Sequence, residues 1–189
     1  MKRADWNALD EAARSRLLMR PTRALAAGVR GRVEEVMADV AARGDVALRV
    51  LSEHYDGVRL EHFEVSARER EAAVTAIGAE LQNAIAEAAA RIEAFHRAGT
   101  PQAHALDTAP GMRCERVLRP ISPVGLYVPA GSAPLPSTAL MLAIPAQLAG
   151  CREIVLCTPP RRDGSADPAV LVAAQRAPNA RIFKLGGAQ

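Results

Sequence analysis

Apolar residues recur at helical spacing through the first hundred positions, then gather into short unbroken runs after about residue 120. Asp10 stands where it can cap a short helix that ends before Pro21. Val33, Val36, Met37 and Val40 fall at i, i+3, i+4 and i+7, one face of an amphipathic helix. Gly44 interrupts that face, and Asp45 is placed to cap the next helix. That helix is expected to bury Val46, Val50, Leu51 and Tyr55, with Gly57 just past its end. Ser66-Ala67-Arg68-Glu69 has the form of a capping box, in which the Ser oxygen accepts from the third backbone N–H and Glu69 reaches back to the cap. The helix it opens carries Val74 and Ile77. A longer helix follows with Leu81, Ile85, Ala88, Ile92 and Phe95 on one stripe, and it stops at Gly99.

Pro101, Pro110, Pro120 and Pro123 erase the periodicity between 101 and 123. This segment reads as an extended connector with a short strand near Arg116-Val117-Leu118, and a domain boundary is expected near 120. Beyond it, Val124 to Val128 is an apolar strand, and Ser137 is placed to cap a helix that runs to about Ala149 with Pro145 inside it. Glu153 to Thr158 is a second strand, apolar enough for burial on both faces. Asp167 and Pro168 fit the N-cap and first turn of another helix, to about Arg176, and Arg181 to Leu185 is a third strand. The order βαβαβ predicts parallel strands joined by right-handed crossovers. The fold class is therefore α/β: a helical region and connector over 1–120, then half of a Rossmann-like doubly wound parallel sheet over 121–189.

Composition adds mainly exclusions. No apolar run approaches the roughly 20 residues that cross a bilayer, and the start Met1-Lys2-Arg3-Ala4-Asp5-Trp6 lacks the apolar core of a secretory signal. No membrane partner is expected, and the expected compartment is the cytoplasm. The net charge is +3, and the arginines are scattered among Glu and Asp with few aromatics between them, which argues against a nucleic-acid surface. Cys114, Cys151 and Cys157 are odd in number and form no CxxC pair, and Cys157 in an apolar strand reads as a core thiol.

In open α/β sheets, ligands bind at the carboxyl ends of the strands. Three segments meet that condition: Pro129 to Ser137, Thr158 to Asp167, and Gly186 to Gln189. The first is rich in Pro, Gly and Ser and opens a helix whose N-terminal N–H groups attract anions. Tyr127 offers a ring face or hydroxyl at its mouth, and Gln189 can hydrogen-bond a ribose or carboxamide. There is no GxGxxG after the first strand, and no acid ends the second, which continues Cys157-Thr158-Pro159-Pro160. The residues alone therefore leave a nucleotide loop and an ordinary strand-to-helix turn both open. His54, His62, His96 and His104 have no second ligand at helical spacing, so no metal site is expected, and no nucleophile–base pair stands out.

The run Pro123-Val124-Gly125-Leu126-Tyr127-Val128-Pro129, the loop Gly131-Ser132-Ala133-Pro134-Leu135 and the terminal Gly186-Gly187-Ala188-Gln189 closely resemble histidinol dehydrogenase. Asp5-Trp6-Asn7, Leu17-Leu18-Met19-Arg20-Pro21, Arg43-Gly44-Asp45 and Pro110-Gly111-Met112-Arg113-Cys114 extend the likeness over essentially the whole chain. Ala130 departs from it, where many members carry a second Gly. The resemblance implies oxidation of L-histidinol to L-histidine through histidinaldehyde with two NAD and a zinc ion, in a homodimer. It implies that 121–189 is part of an NAD-binding domain in which Tyr127 and Gln189 match NAD-contacting positions. It also implies that the zinc ligands and the Glu–His acid/base pair follow the GGAQ motif, so this N-terminal portion is expected to be inactive alone. Two other readings stand beside it. One is a non-catalytic nucleotide-binding or interaction module; the other is a piece without function, whose third strand leaves an unpaired sheet edge.

Overall fold

The computed structural model describes residues 4–18, 27–130 and 133–189. Met19 to Pro21 and the loop residues Gly131 and Ser132 lie outside them. Helix α1 (Glu11–Leu18) is capped by the Asp10 carboxylate, which accepts from the Ala13 N–H at 2.7 Å. Helix α2 (Ala27–Arg43) packs on α3 (Asp45–Tyr55) around Val36, Ala47 and Leu51, with Val40 against them. Val33 and Met37 of the expected stripe stay exposed.

Two expectations for α3 are corrected. Gly44 itself is the N-cap, at φ 52°, and Asp45 is the first helical residue. A glycine whose backbone already makes the turn leaves no role for a side-chain cap. The buried face is Ala47, Leu51 and Ser52, whereas Val46, Val50 and Tyr55 are exposed. The inward face meets α2 at Ala47 and Leu51 and the Gln189 side chain at Ser52.

Helices α4 (Ala67–Ala76) and α5 (Ala79–Ala98) follow. Ser66 caps α4 as expected, its Oγ accepting from the Glu69 N–H at 3.1 Å. Glu69 does not reach back. Its carboxylate accepts from the Ala166 N–H at 2.9 Å and from Lys184 Nζ at 3.3 Å, tying α4 to the loop after the second parallel strand and to the end of the third. A long-range ion pair and a loop N–H offer that carboxylate more than the local cap does.

The connector is a correction too. Strands β1 (His104–Ala109) and β2 (Met112–Arg116) form an antiparallel hairpin turning at Pro110-Gly111, with Gly111 at φ 76°. Val117 and Leu118 lie beyond it. Every residue of both strands is exposed, so no apolar alternation marks them in the sequence.

Strands β3 (Val124–Tyr127), β4 (Ile154–Thr158) and β5 (Ala180–Lys184) are parallel in the order β3-β4-β5, with helices α6 (Pro136–Leu148) and α7 (Pro168–Ala174) between them. Asp167 caps α7 by accepting from the N–H groups of Ala169 and Val170. Ser137 does not cap α6. Leu135 is the N-cap and Pro136 occupies the first turn, so the helix starts with no side-chain cap bond. Pro is suited to that position, its ring already set at a helical φ.

Leu126, Leu156 and Ile182 point into one apolar cluster with α4, α5, α6 and α7. Adjacent strand residues face the opposite way. Cys157 and Phe183 there meet Val58, Leu60, Phe63 and Leu185. Burial along β4 consequently alternates, with Val155 and Cys157 only half-buried, where burial on both faces was expected. The outer edge of β5 is bridged by the segment around Glu64, which counts against the reading that left that edge unpaired. The Val65 N–H donates to the Ile182 carbonyl and the Lys184 N–H to the Phe63 carbonyl, both at 2.8 Å.

Candidate functional site

Because β3, β4 and β5 are parallel, their carboxyl ends share one edge, and a cavity of about 320 Å³ opens there. Its walls come from both ends of the sequence. Val29, Arg32, Val33 and Val36 of α2 and Tyr55 and Asp56 at the end of α3 face Tyr127, Pro159 and the segment Gly186 to Gln189. The two residues singled out from sequence, Tyr127 and Gln189, thus line a single cavity although they are remote in the chain. A larger hollow of about 510 Å³ lies on the Cys157 and Phe183 face of the sheet, among Leu48, Arg49 and Phe63.

Tyr127 ends β3 and is 39% exposed, enough to meet a ligand. Gly187 lies under it: a Cβ at Gly187 would sit 3.2 Å from Tyr127 Cζ and 3.3 Å from its hydroxyl oxygen. Backbone and ring are thus in close approach, and any side chain at Gly187 would make the Tyr127 ring give by a few tenths of an ångström. Burial, and after it the negative charge of Asp56, raises the Tyr127 pKa, so the phenol keeps its proton as a hydrogen-bond donor. Burial also pushes the Cys157 thiol up, in keeping with a core cysteine.

Gln189 is held by its own chain. Its Oε1 accepts from the Gly186 N–H at 3.3 Å and from Ser52 Oγ at 3.4 Å. Ser52 and Asp56 were missed in the sequence. Asp56 did carry a signal, an acid at the C-cap of a helix, where the dipole disfavours negative charge. Its Oδ2 is buried and has no hydrogen-bond partner among the described residues.

Burial pushes the Asp56 carboxyl above the ordinary carboxylate range, and the neighbouring Gln189 carboxamide offsets part of the rise. The folded chain holds this proton more tightly than the unfolded chain does. The group's contribution to stability is therefore complete below the ordinary carboxylate range and is lost as pH rises through the folded pKa. Asp56→Asn, uncharged at every pH, is expected to melt higher than the parent at neutral pH, with the gap closing on acidification. A gap independent of pH in paired melting curves would remove the buried charge as its cause.

No three His, Cys, Asp or Glu side chains converge as a metal set among the described residues. The arrangement can present a ring face, a phenol donor and backbone groups to a planar, hydroxyl-bearing ligand. It brings no nucleophile and base together.

The histidinol dehydrogenase family profile matches residues 19–189. The histidinol dehydrogenase of Xanthomonas euvesicatoria is 60% identical over the whole chain, which covers 44% of that relative, and the one from Photobacterium profundum is 43% identical with 42% covered. The crystal structure of histidinol dehydrogenase from Elizabethkingia anophelis superposes with a TM-score of 0.88 at 39% identity, over 96% of this chain and 42% of that one. The chain thus spans less than half the length of the relatives it matches. With a family profile over nearly all of its residues and a shared fold, the chain belongs to the histidinol dehydrogenase family.

Proposed function

We propose that this chain forms one wall of the NAD site in an enzyme that oxidises L-histidinol to L-histidine through histidinaldehyde. The observation that carries the reading is the cavity at the carboxyl ends of three parallel strands, where Tyr127, Gly187 and Gln189 meet. A nucleotide is suited to that edge, since ligands of open α/β sheets bind at the carboxyl ends of the strands. Tyr127 supplies a ring face and a protonated hydroxyl, and Gly186-Gly187 leaves room for the Gln189 and Tyr127 side chains that pack on it. In this reading residues 121–189 are part of the NAD-binding unit and residues 1–120 brace it.

NAD, when bound, accepts the hydride. The residues described here bind and orient it. They offer no ligand set for zinc, so no step is assigned to that metal, and the assembly is taken to be a cytoplasmic homodimer. Among the described residues, no helix is long and apolar enough to cross a membrane. The reading is tested by calorimetric titration of the chain with NAD, for which one saturable site per chain is expected. Heats that stay at dilution level up to millimolar NAD would remove it, and a site that takes any planar aromatic equally well would favour a general binding module.

A further inference from the structure

A fully buried serine on a helix that otherwise buries Ala47 and Leu51 is out of place unless its hydroxyl has a use. The Ser52 hydroxyl has one side-chain partner among the described residues, Gln189 Oε1, 137 positions away. The same oxygen accepts from the Gly186 N–H, which pins the turn Gly186–Gln189 onto the end of α3. A Cβ at Gly186 would fall 2.9 Å from Gln189 Nε2, so the carboxamide occupies the space a side chain there would need. The next residue, Gly187, supports the Tyr127 ring.

We propose that Ser52 is a positioning residue for the cofactor: acting through Gln189, it fixes the Gly186-Gly187 turn against Tyr127 and so preforms the NAD wall. Gln189 then serves the site chiefly by holding backbone, with its acceptor oxygen already engaged by the chain. The wall of the sheet unit is set by a helix from the other end of the sequence. Asp56, one turn further along α3, flanks the same turn, its Oδ2 lying 3.8 Å from the Gly186 Cβ position. The inference rests on the NAD reading above.

The test is a coupling measurement on the full 189-residue chain, with NAD as the probe. Ser52→Ala is expected to weaken NAD about fivefold in the parent background, the equivalent of one lost hydrogen bond. In the Gln189→Ala background the same change is expected to alter NAD affinity less than about twofold, because the partner is already gone. Ser52→Cys keeps the volume with only a weak donor and is expected to behave as Ser52→Ala. Melting curves of each variant accompany the titrations, since a purely structural serine would lower stability without this coupling. Equal losses in both backgrounds, or no loss in either, would overturn the role of Ser52 while leaving NAD binding in place. A parent chain that does not bind NAD would overturn the cofactor reading and this inference together.

Discussion

Tyr127→Ala is expected to weaken NAD binding by roughly 5-fold to 150-fold, the range set by the ~1–3 kcal/mol that one aromatic ring contributes to stacking on a planar base. The loss is expected in affinity far more than in stability. Tyr127 is 39% exposed and belongs to none of the buried apolar clusters among the described residues. Tyr127→Phe separates the two parts of the side chain. The ring remains and the hydroxyl donor goes, so most of the affinity is expected to survive, with a loss of a few-fold for one hydrogen bond. Titration of the three proteins under one salt condition gives the answer. An unchanged dissociation constant for Tyr127→Ala would place the nucleotide elsewhere, and the 510 Å³ hollow on the Cys157 and Phe183 face of the sheet would become the next site to examine.

Leu156→Ala is expected to cost about 3 kcal/mol of folding stability, from lost transfer free energy and the cavity left behind. Leu156 is 0% exposed at the middle of the central strand, in register with Leu126 on one side and Ile182 on the other. Its neighbours are held by strand pairing and cannot collapse into the gap. Against a total stability of about 5–15 kcal/mol for a domain of ordinary size, such a loss is large. Urea unfolding followed by circular dichroism measures it as a fall in midpoint at unchanged slope. Leu156→Met keeps most of the volume and is expected to lose less than about 1.5 kcal/mol. A loss below about 1 kcal/mol for the alanine variant would mean that the sheet core is looser than its burial indicates.

The elements that were legible in the sequence are those whose signals are local. Asp10, Ser66 and Asp167 cap α1, α4 and α7 where they were expected, since a capping side chain needs only its own next three residues. The three apolar runs became the parallel sheet, and the βαβαβ order fixed which of their ends would share an edge. The hairpin at 104–116 was illegible because exposed strands carry no apolar alternation, leaving Pro110-Gly111 as its sole mark. Helix α3 was read correctly at Leu51 and wrongly at Val46, Val50 and Tyr55, because α2 meets Ala47 and Leu51 while Ser52 faces Gln189. Glu69 was read as a local cap, and distant partners took it instead.

The same division runs through the site. The sequence by itself determined the family likeness, the α/β order and the two residues, Tyr127 and Gln189, that meet in the cavity, because motif and strand order are properties of neighbouring positions. The tertiary structure alone decided that Ser52 and Asp56 of the helical region stand beside Gln189, that Gly187 carries the Tyr127 ring, and that Glu64 and its neighbours close the β5 edge. Contacts between residues far apart in the chain depend on how whole faces pack, and no local spacing encodes them.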